Sequence, residues 1–111
     1  MNSDERSALV RMMPCIACTI GGTSVCGKTE EHHLNFGGKA GQPRRGDWFT
    51  IPLGRWHHQG IPPDGMSAMQ AGIIYGPSLA RSSKRFREFY GMDDDLLAKV
   101  NEILGQQERV A

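Results

Sequence analysis

Every cysteine and every histidine of the chain lies within the 44 residues from Cys15 to His58, as Cys15, Cys18, Cys26, His32, His33, His57 and His58. So dense a group of thiols and imidazoles constrains the fold more than any apolar pattern, because such groups must be buried against one another or gathered on metal ions. Cys15-Ile16-Ala17-Cys18 places two thiols on one tight turn, at the separation a tetrahedral zinc requires. Such a site recruits two more sulfur or nitrogen ligands from farther along, and Cys26 and one of the histidines are the candidates. Three cysteines cannot all pair within one chain, so a disulfide framework is the weaker reading; for Cys26, a small buried hydrophobe is the plain alternative. His32-His33 and His57-His58 are adjacent pairs whose rings project in different directions, so each pair can serve two sites.

The rest of the chain bounds the architecture. With 111 residues and a net charge of +1, one α+β domain spanning 1–111 is expected. No apolar stretch approaches a bilayer span and the start lacks the parts of a signal peptide, so a soluble cytoplasmic protein is expected. Ser3 can cap a helix running to Met13, with Pro14 ending it. From Cys15 to Gly65 glycines and prolines leave room only for short strands, near Glu31–Phe36 and Trp48–Leu53. A segment so poor in core benefits from a metal staple. Beyond a turn near Ser67–Ala71, two helices are predicted over 77–105. The first opens at Pro77-Ser78 and ends at Tyr90, burying Leu79, Phe86, Phe89 and Tyr90 and leaving Arg81, Lys84, Arg85 and Arg87 in water. The second is capped by Asp93, carries the stripe Leu96, Leu97, Val100, Ile103 and Leu104, and stops at Gly105.

Charge is segregated along the chain: residues 1–35 sum to −1, residues 36–90 to +5 and residues 91–111 to −3. Lys39, Arg44 and Arg45 in the central loop, with Arg81, Lys84 and Arg85 on a helix, are candidates for phosphate contacts; a solvated helix face is the alternative. Trp48 and Trp56 can stack on bases or anchor a small core. Gly22 to Thr29 satisfies the phosphate-loop pattern GxxxxGKT letter for letter. A phosphate loop joins a buried strand to a long helix, however, and Gly37-Gly38 follows too soon for that helix.

The order Cys-x2-Cys, His32-His33-Leu34, a glycine-rich loop, Ile51-Pro52-Leu53 and His57-His58 resembles the HNH endonuclease superfamily. Within it the chain is most similar to the phage Ref-type, RecA-dependent branch, over about residues 14–91, with Arg85 to Gly91 as weaker support. The resemblance implies a ββα-metal core over 14–65, a hairpin and helix gripping one catalytic divalent cation, Mg2+ or Mn2+, beside a structural Zn2+. It makes His33 the general base, His32 and His58 ligands of the catalytic metal and His57 a zinc ligand, and it places Asp47 near where a residue would orient the base. The chain departs from the pattern in three places. Gly54 stands where many relatives carry a zinc-binding cysteine, Cys26 can replace that ligand, and Pro62 stands where some relatives carry a third catalytic ligand, a place Asp64 can take.

The function implied is a metal-dependent DNA endonuclease, of phage or prophage origin, acting in recombination with DNA and a RecA filament as partners. Little sequence preference is expected, since phosphate contacts carry no base information. The alternatives are a zinc-stabilised nucleic-acid-binding module without catalysis, and a zinc-stabilised protein adaptor docking through the Leu96–Leu104 helix or the basic helix.

Overall fold

The computed structural model describes residues 1–35, 41 and 43–110, the last five of these by their backbone alone. Helix α1 (Ser3–Met12) is opened by Asn2, whose side chain accepts the Glu5 N–H at 2.8 Å. Ser3, the expected cap, is the first helical residue; asparagine is as good a cap as serine and stands one residue earlier. Met13 is already extended, because the following Pro14 disfavours helical geometry in the residue before it. The chain then turns directly into α2 (Ile16–Gly21), where only loop and strand were expected. Gly21-Gly22 is the end of that helix rather than a loop, with Gly22 left-handed at φ +70°.

Strands β1 (Thr29–His33) and β2 (Thr50–Gly54) form one antiparallel hairpin, registered from Thr29 opposite Gly54 to His33 opposite Thr50. Both strands differ from the predicted Glu31–Phe36 and Trp48–Leu53. Asp47 and Trp48 lie in a turn closed by Phe49 N–H on the Gly46 carbonyl at 3.1 Å, so pairing starts at Thr50 and runs back to Thr29. Phe36 and the Gly37-Gly38 step lie outside the described residues. Helix α3 (Arg55–Gln59) follows β2 without a break and ends at the left-handed Gly60, so hairpin and helix form a β–β–α unit.

Helix α4 (Ala68–Tyr75) replaces the single turn expected near Ser67–Ala71; Ser67 and Gln70 form a reciprocal capping box at its start. Helix α5 (Ser83–Tyr90) begins five residues after Ser78 rather than at Pro77-Ser78, because Ser78 Oγ instead accepts the Arg81 N–H and holds the approach as a turn. Phe86 and Tyr90, four residues apart, face the core, whereas Phe89 is 63% exposed, against expectation. Helix α6 (Asp93–Val110) buries Leu96, Leu97, Val100 and Leu104 and runs through Gly105, a residue that weakens a helix by about 1 kcal/mol without ending it. No helix among the described residues is long and apolar enough to cross a membrane.

β2 is buried throughout and forms the centre against which α1, α3 and α6 pack. Among the described residues Arg6 of α1 is a charged side chain fully inside, 2% exposed. Its guanidinium donates to Thr50 Oγ1 at 2.7 Å, to the Thr50 carbonyl at 3.1 Å and to Asn101 Oδ1 at 2.8 Å, tying α1, β2 and α6 together. Burial pushes its pKa down, and the nearby Glu31 carboxylate opposes that shift. Arg6→Ala leaves these acceptors unpaired inside the protein, and a loss of about 3 kcal/mol of unfolding free energy is expected in urea denaturation.

Candidate metal centre

Cys15 caps the N-terminus of α2, Cys18 lies within it, Cys26 comes from the loop before β1 and His57 from α3. All four are buried, and their ligand atoms lie within 4.8 Å of one another. His57 Nδ1 is 3.4, 3.6 and 3.1 Å from the sulfurs of Cys15, Cys18 and Cys26. The sulfurs of Cys15 and Cys26 are 4.0 Å apart, too far for a disulfide and close to the edge of a tetrahedron with bonds of about 2.3 Å. Three thiols and one imidazole converging in this way could hold a structural metal such as zinc. Within the cluster Cys15, Cys26 and then His57 hydrogen-bond to Cys18 and drive it toward thiolate, while the bonds to Cys18 and Cys26 drive Cys15 the other way. Burial alone would lower His57, but bonding to Cys18 and Cys26 outweighs it and raises the imidazole to about 9, so a metal binding there would displace a proton from Nδ1.

The missing ligand at Gly54 has a physical explanation. A Cβ built on Gly54 would collide with Cys26 Sγ and lie 3.7 Å from Cys15 Cβ. The loop cysteine therefore fills the space that a side chain on the strand would need. The same loop rules out the phosphate-loop reading of Gly22 to Thr29, since it turns Cys26 inward and runs into β1 rather than into a helix.

Sequence reasoning missed the groups that orient His57. Nε2–H donates to the Tyr75 carbonyl at 2.8 Å, and the Tyr90 hydroxyl donates to the same oxygen at 2.6 Å while lying 3.0 Å from Nε2. These contacts fix the tautomer that leaves Nδ1 free to bind metal. Tyr90 was legible only as a core residue, yet a buried tyrosine hydroxyl needs a partner, and that requirement was the available signal.

The other histidines form a second cluster. His32 Nδ1 lies 3.2 Å from His58 Nε2, with the rings edge to face at 4.9 Å between centroids. Burial first, then the charges of His58 and His33, lower His32 to about 4, so its ring is neutral at physiological pH. His58 Nδ1 meets Glu30 Oε1 at 3.0 Å, a contact that sequence reasoning also missed; Glu30 stands two residues before His32 and hence on the same strand face. His33 is not part of this pair. Its register opposite Thr50, which faces Arg6, directs it to the other side of the strand, where Nε2 is 2.9 Å from Asp47 Oδ1. Pro62 is half-buried and Asp64 exposed, and among the described residues no third His, Cys, Asp or Glu joins His32 and His58 in one cluster.

The basic candidates divide. Lys39 lies outside the described residues, while Arg44, Lys84 and Arg85 are exposed. Arg45 is bound to Asp94 at 2.8 Å and stacks on Phe49. Arg81 is exposed as expected, but it donates to the Gly60 carbonyl at 2.7 Å and leans over Trp56, which anchors the core; Trp48 is 47% exposed.

Fold and site together define a small α+β protein with a buried Cys3His metal site beside a β–β–α unit that carries paired histidines. The chain belongs to the family described as recombination enhancement, RecA-dependent nuclease, whose profile matches residues 2–105. No curated protein and no solved structure matches it.

Substitution at 54 tests the geometry. Gly54→Ala is expected to lower bound zinc well below one equivalent, measured by atomic absorption on purified protein. Moving the thiol, as Gly54→Cys with Cys26→Ala, is expected to restore about one equivalent, because the donor count returns to four.

Proposed function

We propose that this chain is a metal-dependent DNA endonuclease of HNH type, of phage or prophage origin, acting in recombination on DNA presented by a RecA filament. The observation that carries the reading is the convergence of His32 and His58 at 3.2 Å on a hairpin–helix unit, within a chain of the RecA-dependent nuclease family. The two facing nitrogens would hold a divalent cation, Mg2+ or Mn2+, which neutralises charge on the phosphoryl and leaving oxygens of a phosphodiester.

His33 follows His32 directly but turns to the other side of the strand, so in this reading the phosphodiester crosses the end of β1 to meet both. With Nε2–H donated to Asp47, the Nδ1 lone pair of His33 takes a proton from water as the water oxygen attacks phosphorus; one ester oxygen then departs and completes the hydrolysis. Asp47 thereby orients the base and stabilises the imidazolium that forms. A metal held by Cys15, Cys18, Cys26 and His57 would sit in a separate, buried cluster and brace the scaffold without taking part in the reaction. Arg44, Lys84 and Arg85 remain available for backbone phosphates, and a contact set of this kind favours cleavage with little sequence preference.

One observation favours a second reading, a zinc-stabilised nucleic-acid-binding module without catalysis: no third side chain among the described residues completes the His32–His58 pair. Cleavage assays separate the two. Supercoiled plasmid and circular single-stranded DNA are incubated with Mg2+ or Mn2+, with and without RecA and a nucleotide. Metal-dependent cutting is expected, and His33→Ala is expected to slow it at least ~100-fold with zinc content unchanged. Absence of cutting under every condition, or equal cutting by His33→Ala, would sink the nuclease assignment.

A further inference from the structure

Glu30 belongs to no cluster that the sequence singles out, yet it is the group against which the second histidine pair is built. It shares a face of β1 with His32, and α3 lays His58 and Gln59 across that face. Glu30 Oε1 is 3.0 Å from His58 Nδ1 and 2.6 Å from Gln59 Nε2, so Gln59 holds the carboxylate and the carboxylate holds the imidazole. The two nitrogens of an imidazole point away from each other, and a neutral ring keeps only one lone pair. A proton held on Nδ1 by Glu30 therefore leaves the lone pair on Nε2, the atom 3.2 Å from His32 Nδ1. The carboxylate thus meets the ring nitrogen that does not face His32.

We infer that Glu30 is the positioning residue of the His32–His58 pair: it fixes the Nδ1–H tautomer of His58 and so aims Nε2 at the divalent cation. The inference rests on the metal-binding role proposed for that pair. Free imidazoles favour the opposite tautomer, so the arrangement depends on Glu30 and not on the histidine alone.

The test uses the full-length, zinc-loaded protein and Mn2+ alone as the probe, with calorimetry reading affinity and nitrogen NMR of the imidazoles reading the tautomer. Wild type is expected to show His58 protonated at Nδ1. Glu30→Ala is expected to bind Mn2+ 10- to 100-fold more weakly and to shift His58 toward the Nε2–H form, with zinc content unchanged. Glu30→Gln, which keeps an acceptor oxygen without the charge, is expected to lose only several-fold and covers the case in which the alanine variant folds poorly. Wild-type Mn2+ affinity in both Glu30 variants, with affinity lost in His58→Ala, would overturn the positioning role and leave the metal pair standing. Wild-type affinity in His58→Ala would overturn the metal pair, and the positioning role with it.

Discussion

Four donor atoms meeting within 4.8 Å join parts of the chain that have little else in common. The start of α2, the loop after it and the helix behind β2 converge on one point, where thiols and an imidazole would be poor core material if left unpaired. A metal ion held there would turn that liability into a cross-link whose binding energy rivals the whole stability of a small domain. The Tyr75 carbonyl and the Tyr90 hydroxyl extend the cross-link outward, so α4 and α5 are also referred to the same point. The β–β–α unit is thereby held from one side, with β1 half-buried along its length.

Adjacent histidines divide between environments, and strand register decides how. His57 turns into the thiol cluster while its neighbour His58 turns toward β1. On β1 the alternation of a strand sends Glu30 and His32 one way and Glu31 and His33 the other, Glu31 toward Arg11 of α1. A slip of one residue would exchange these sets, so the pairing of His33 with Thr50 must be secure. Helix α1 holds both partners, Arg6 on the side chain and carbonyl of Thr50 in β2 and Arg11 on Glu31 in β1.

The metal-binding chemistry was legible in the sequence because its signal is residue identity and spacing, which survive any error in element boundaries. Cys15 and Cys18 announced themselves, and Cys26 and His57 join them in the structure. The hairpin was legible only to within three residues, since the turn at Asp47-Trp48 is set by a backbone bond that no residue type advertises. The short helices α2 and α4 were hidden for different reasons: glycines at the end of α2 look like loop residues, and α4 declares itself mainly through the Ser67–Gln70 box. Glu30, Tyr75 and Tyr90 were not legible as site residues. Each meets a histidine ring from another element, and a contact of that kind leaves no mark in spacing.

Gly54 and Cys26 are coupled by volume as well as by chemistry, since one position is empty because the other is filled. The thiol could stand on the strand or on the loop, but these two layouts are not neighbours in sequence space. A first step at position 54 meets a collision, and a first step at position 26 removes a donor while the other three remain in place. The tolerated residue at either position is therefore a property of the pair, and a survey of single substitutions would class both as immutable even where an exchange of the two is tolerated.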